Sequence, residues 1–339
     1  WESNDTSGTG DDGPAVGSHW DKSYGWGYLD MWEAHYNRSD YFIDSVLPRN
    51  DTAAADDYKL YKGPMYRSSS EAEKATLVWQ KRSNYVAGEP PTTLYALSDL
   101  NLRLYNETDG TLIDSDLDSN DNVHQVDMSS ETNGWHDVVL KVYSWSTSFS
   151  GASSESYALA TEEDFVIADP PSFQRNYSRP NYVGPYQTFD VTVRIFNNGD
   201  VAAHDNTVTL QNITGVSVNG NNSQTLATII PGPYPDNPQV TTFSLTTAGA
   251  SAGTHWLPLD FESNCYQETY TYNTATGVSI IVETTPPTST CTVDPYDNQA
   301  PIEVDWTASD SQTGVRTTYL YVKTPGSTSF SYAGLYNSD

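Results

Sequence analysis

Basic residues and cysteines are scarce in this chain of 339 residues. Sixteen Lys and Arg face 44 Asp and Glu, a formal net charge of −28, and such a surface repels nucleic acid and anionic membrane. No run of about 18 apolar residues occurs, so the chain contains no membrane-spanning helix. The histidines, His19, His35, His124, His136, His204 and His255, form neither a His-x-x-x-His nor a His-Glu-x-x-His pair, the spacings that seat catalytic zinc. A phosphate-cradling Gly loop is also missing, and carboxylates are too plentiful for one pair to stand out as a glycosidase couple. No catalytic residue is assigned. The two cysteines, Cys265 and Cys291, lie outside any Cys-x-x-Cys motif. An extracellular setting favours joining them in a disulfide. The loop closed would hold about 26 residues and stabilise by ~3 kcal/mol on the chain-entropy view.

What the chain does carry is aromatic area and small polar residues. Nine Trp, 24 Tyr and nine Phe supply enough apolar surface to fold a chain whose charge alone would suggest disorder. Its length implies two to four domains. Asn-x-Ser/Thr triplets occur at Asn4, Asn37, Asn50, Asn106, Asn176, Asn212 and Asn221, each an acceptor for an N-linked glycan in a secretory setting. With no initiator Met and no signal or lipidation motif, the chain reads as beginning mid-protein or after processing, a piece of a secreted or cell-surface protein.

Period-two alternation dominates. Thr76–Gln80, Leu100–Tyr105, Val138–Tyr143, Asp190–Phe196, Val304–Trp306 and Thr318–Val322 read as half-buried strands. Helical spacing is confined to Tyr28–Tyr36, with one further turn at Glu71–Lys74. Short strands punctuated by Gly, Asn, Asp and Pro predict an all-β protein of tandem β-sandwiches with a short N-terminal helical remnant. Paired prolines at Asp169-Pro-Pro171 and within Glu283–Pro287 stiffen the chain and interrupt sheet pairing. They divide the chain into three modules, and setting an N-terminal tail and linker apart within the first gives segments 1–58, 59–168, 169–283 and 284–339.

Gly25-Trp-Gly-Tyr-Leu-Asp30-Met-Trp-Glu-Ala34 resembles the run that closes the catalytic domain of subtilisin-like serine proteases. In that family the catalytic Asp, His and Ser precede this run, so the resemblance implies that the chain lies downstream of the triad. Ala75–Trp79, Leu97–Leu104, Asp121–Val126 and Ser156–Leu159 resemble, in order, four strands of the β-jelly-roll domain that follows the catalytic domain in many such proteases. Ser98, Asn101 and His124 depart from that family's usual Asn, Asp and Glu. Phe189–Asp200 and Gly253–Leu259 resemble a cell-adhesion-related (CARDB-type) Ig-like sandwich, with Asn198-Gly199 read as a hairpin turn. Thr285–Ser289, Ile302–Asp310 and Gly314-Val315 resemble bacterial extracellular Ig or fibronectin-like repeats. About 55 residues are left for that last domain, fewer than the roughly 100 such a sandwich uses, so it is expected to be partial.

Asp114, Asp116, Asp118 and Asp121 place hard oxygen donors at the density Ca²⁺ prefers, without the Gly and Glu of an EF-hand loop. Asp305 and Asp310 form a second, weaker cation candidate. Trp79, Trp135, Trp145, Trp256 and Trp306 are the aromatics from which a sugar platform would be built, although strand aromatics commonly serve the core. Taken together the sequence implies a non-catalytic extracellular glycoprotein related to a subtilisin-like protease tail. Its expected partners are further copies of itself or neighbouring subunits, with self-assembly by strand exchange. Alternatively it serves an attached protease domain as an accessory region.

Overall fold

The computed structural model describes residues 40–50, 57–70, 72–81, 83, 84, 93, 94, 96–293, 304–315, 317–323 and 326–337. The helix expected over Tyr28–Tyr36 and the protease-like run before it lie outside these residues. Among the described residues every regular element is a strand, as the alternation predicts. The helical turn expected near Lys74 is replaced by extended chain: Ala72 bridges Arg67 and Lys74 opens a strand.

The first sandwich contains β1 (Tyr41–Val46), β2 (Tyr58–Arg67), β3 (Lys74–Trp79), the short ribbon β4 (Ser83–Asn84) and β5 (Thr93–Leu94), β6 (Leu100–Asn106), β7 (Leu112–Asp116), β8 (Val123–Asp127), β9 (Gly134–Ser144), β10 (Glu155–Thr161) and β11 (Val166–Ala168). One sheet runs β1-β10-β3-β8 and the other β11-β2-β9-β6-β7. The chain repeatedly crosses between them, and the early strand β1 pairs with the late strand β10, the jelly-roll arrangement. Leu77, Trp79, Leu100, Leu102, Leu104, Val126, Leu140, Val142 and Leu159 fill the space between the sheets. Their i, i+2 spacing on β6 and β9 is what the alternation of a strand requires.

The second sandwich is built from β12 (Phe173–Ser178), β13 (Thr188–Asn197), β14 (Asn206–Leu210), β15 (Val216–Val218), β16 (Ser223–Leu226), β17 (Gln239–Thr247), β18 (Gly253–Cys265) and β19 (Glu268–Val282). Its sheets run β12-β13-β17-β15 and β16-β14-β18-β19, around Val191, Val193, Phe243, Leu259, Phe261 and Ile280. Asn198-Gly199 is not a hairpin turn. β13 and β14 belong to different sheets, and the turn carries the chain across. Asn197, 1% exposed, staples the crossing: its amide donates to the Val201 and Ile229 carbonyls, and its oxygen accepts from the Ser172 and Gly199 N–H groups. Gly199 is required because a Cβ there would sit 2.2 Å from the Pro170 carbonyl oxygen. The Asp169-Pro-Pro171 linker is therefore clamped against this turn, with Asp169 N–H donating to Asp200 and Asp200 N–H returning a bond to the Asp169 carbonyl.

The third module consists of β20 (Thr288–Val293) paired with β21 (Val304–Ser309), and β22 (Thr317–Val322) paired with β23 (Ser331–Asn337). From Thr284 onward no residue whose exposure is described is buried.

Candidate functional site

β18 and β19 form a hairpin of 13 and 15 residues, paired from Gly253↔Val282 to Cys265↔Glu268. At ~3.4 Å per residue it extends for about 45 Å, and its tip lies on the outer face of the first sandwich's larger sheet. The two turn residues, Tyr266 and Gln267, have φ of 53° and 57°. That left-handed pair is the type I′ geometry normally met by Asn-Gly, so neighbouring contacts must hold it. Tyr266 is 1% exposed. Its hydroxyl donates to the Ala202 carbonyl at 2.9 Å, its ring meets Tyr105 edge-on, and its carbonyl accepts from Lys141 Nζ at 2.9 Å.

Lys141 explains why β9 is not the half-buried strand its pattern suggests. Val138, Leu140 and Val142 point into the jelly-roll core, whereas Val139, Lys141 and Tyr143 point to the outer face and are buried there too. Tyr58, Leu60, Tyr105, Val139, Tyr143, Ala168, Val201, Cys265 and Tyr266 make a third core shared by both sandwiches. The Lys141 ammonium lies 4.8 Å above the Tyr58 ring and 5.2 Å from that of Tyr143, and it pairs with Glu268. Burial pushes its pKa down, against the pull of Glu268. Tyr58 and Tyr270 join hydroxyls at 3.1 Å. Lys62 bridges the same junction from its edge, pairing with Glu107 at 2.6 Å and donating to the Asp200 carbonyl. A lone Lys inside the apolar run Val138–Tyr143 was the sequence signal for this second buried face.

Beside Lys141 the junction opens into a cleft of about 360 Å³. Arg49, Arg103 and Lys141 supply cations, Asp57 and Glu268 carboxylates, and Tyr143 and Trp145 aromatic walls. Arg49 stacks 4.1 Å from the Trp145 ring centre and Arg103 4.9 Å from that of Tyr143. A second, smaller cleft of about 150 Å³ separates the two strand pairs of the third module, between Cys291 and Trp306 on one side and Tyr319 and Leu320 on the other.

The expected disulfide does not form. Cys265 is a buried thiol at the hairpin tip and Cys291 an exposed one on β20. β19 alone, 15 residues, carries the chain about 50 Å from the tip before β20 begins. Burial pushes the Cys265 thiol pKa up, which keeps it protonated and unreactive.

The four aspartates do not gather into a cation site; no group of three potential ligands occurs among the described residues. Their oxygens bind backbone amides instead. Asp114 accepts from Ser115 and Asp127, Asp116 from Gln125, Asp118 from Asn120, and Asp121 from Asn122 and Val123. Asp116 also lies 2.6 Å from Nδ1 of His124, a fully buried ring stacked on Trp79. Burial opposes ionisation of Asp116, but the bonds from His124 and the Gln125 amide outweigh it and hold its pKa below the usual range. Asp310 likewise caps the Gln312 and Thr313 amides, and Asp305 pairs within β21. Of the glycan acceptors, Asn50, Asn176, Asn212 and Asn221 are exposed and Asn106 is half-buried, while Asn4 and Asn37 lie outside the described residues. Trp79 is core, donating from Nε1 to the Ser98 carbonyl. Trp135, Trp145, Trp256 and Trp306 are exposed.

No protein-family model matches the chain, and no curated protein matches it. Similar solved structures include the CARDB domain of the PF1109 protein from Pyrococcus furiosus, solved by crystallography with di-metal ions and by NMR. The crystal structure is 16% identical, covering 33% of this chain and 89% of that one at a TM-score of 0.22. The NMR structure is also 16% identical, covering 34% and 96% at 0.21. The exo-chitosanase CsxA of Amycolatopsis orientalis is 10% identical over 73% of this chain and 27% of that chain, at a TM-score of 0.20. Scores this low carry no functional argument.

Proposed function

We propose that this chain is a non-catalytic extracellular structural protein, related to the C-terminal region of a subtilisin-like protease, whose third module is completed by a β-strand from a neighbouring copy. The observation behind this reading is the third module itself. Its four described strands form two separate pairs, apolar side chains such as Tyr319, Phe330 and Leu335 stand 59%, 69% and 47% exposed, and nothing described beyond Thr284 is buried. Open edges beside apolar surface are features natural proteins cover. A strand added from outside satisfies the edge by backbone pairing and fills the cleft with alternate side chains. Head-to-tail addition of this kind need not close, so it produces filaments. The two fused sandwiches then act as a rigid acidic spacer that displays glycans.

Residues 1–20 are the proposed donor. Sedimentation of the intact chain and of a variant lacking residues 1–20 tests this. Polymers are expected from the first and monomers from the second. Equal assembly overturns the donor, and a chain that stays monomeric at high concentration overturns the function. Recovery of the native material bound to a serine-protease domain would favour the accessory role instead.

A further inference from the structure

We propose that β12, an edge strand of the second sandwich, takes up an extended acidic segment of another protein chain as a further strand, with Arg175 and Arg179 meeting its carboxylates. β12 ends its sheet and pairs with β13 alone. Asn198 N–H donates to the Ser172 carbonyl, and in the antiparallel alternation that follows, Gln174, Asn176 and Ser178 exchange bonds with β13. The N–H and C=O groups of Phe173, Arg175 and Tyr177 therefore face away from it. Among the described residues only the Tyr177 N–H of this set finds a partner, the Asn176 Oδ1 at 2.7 Å.

Arg175, Arg179 and Arg194 are the only Lys or Arg between residues 169 and 283, against nine Asp and Glu. All three gather at this edge, and none makes an ion pair among the described residues. Arg175 donates to the Thr276 carbonyl, Arg179 to the Pro180 and Asn181 carbonyls and the Ser279 hydroxyl, and Arg194 to the Ser178 hydroxyl. Every one of these acceptors is neutral. The Nε atoms of Arg175 and Arg179 are buried without any acceptor. Tyr177, between the two, feels their charge: burial opposes ionisation of its phenol, but bonds with Ser279 and the positive field of Arg179 and Arg175 hold its pKa below 10.0.

Four residues of extended chain span about 14 Å, so carboxylates four apart on an added strand reach both arginines. Opposite charges paired across strands attract, whereas two copies of β12 brought edge to edge repel, a protection natural edge strands use. The free amides are satisfied by peptide backbone, so a protein segment fits where a polysaccharide anion does not. Asn176, the glycan acceptor, alternates to the opposite side of the strand from Arg175.

Calorimetric titration of the intact chain with an eight-residue peptide of alternating Glu and Thr tests the site, with a Gln and Thr peptide and an oligogalacturonate as controls for charge and for backbone. Saturable one-to-one binding of the acidic peptide is expected, with each control at least about tenfold weaker. Amide exchange at Phe173 and Arg175 should slow in the saturated parent chain. A double variant, Arg175→Gln with Arg179→Gln, should bind the peptide about tenfold more weakly. Absence of acidic-peptide binding overturns the proposal. So does either control binding as tightly, unchanged exchange at Phe173 and Arg175, or unchanged affinity in a folded double variant. The exchange measurement uses the parent chain, so it decides the matter even where the double variant fails to fold.

Discussion

Single residues at the junction have environments that set clear pH and stability expectations. Burial raises the Tyr58 pKa from 10.0 to about 12, with its bond to Tyr270 opposing, and burial moves Tyr105, Tyr266 and Tyr270 in the same direction. A group whose folded pKa exceeds its unfolded one holds its proton more tightly when folded. Its stabilisation is complete below pH 10 and is lost as pH rises toward 12. Lys141, shifted down by burial from 10.5, acts oppositely only as pH rises to about its unfolded value, and is one group against four. Absorbance titration at 295 nm should show a set of tyrosines that ionise only as the junction opens, above about pH 11; all 24 ionising near pH 10 with the structure intact would contradict this. Asp116 has a lowered pKa, so its contribution is present above the unfolded value of 3.8 and fades as pH falls below it. Asp116→Ala strands the buried His124 and the Gln125 amide and should cost about 2 kcal/mol in a urea melt. Because the aspartates already serve backbone amides, adding a chelator to the parent chain should leave its melting temperature unchanged.

At the scale of elements, the strained hairpin tip is the most informative. Gln267 is exposed yet left-handed, so Gln267→Gly should stabilise the chain by about 0.5–1 kcal/mol by relieving backbone strain. A destabilised variant in thermal unfolding would mean that the Gln267 side chain holds the junction. This turn also shows what the alternation left unread. Period-two spacing located β6 and β13 well, because one face of each is apolar and buried, whereas β22, expected half-buried, carries no buried residue. On β9 the apolar residues on the outer face matched those on the inner, and only Lys141 broke the run. Asn198-Gly199 looked like hairpin chemistry because the same residues suit any tight turn. Pairing partners are set by distant strands that no local pattern specifies. The aspartate spacing was legible as a cluster, but not that amides on β8 would claim its oxygens. The cleft was invisible for the same reason: Arg49, Arg103 and Trp145 meet only through folding.

Over the whole molecule, the shared core and clamped linker make the two sandwiches one cooperative unit, while among the described residues of the third module none is buried. Calorimetry should therefore resolve one large transition for residues 40–283 and a separate, weaker one for the third module; two equal transitions for the two sandwiches would contradict the shared core. The central claim, that the third module is completed by a strand from another copy, is met most directly by hydrogen exchange on β20 to β23 at low and high chain concentration. Fast exchange in dilute monomer, with protection appearing on assembly, is the predicted result. Strong protection of these strands in the isolated monomer, unchanged by concentration, would contradict it.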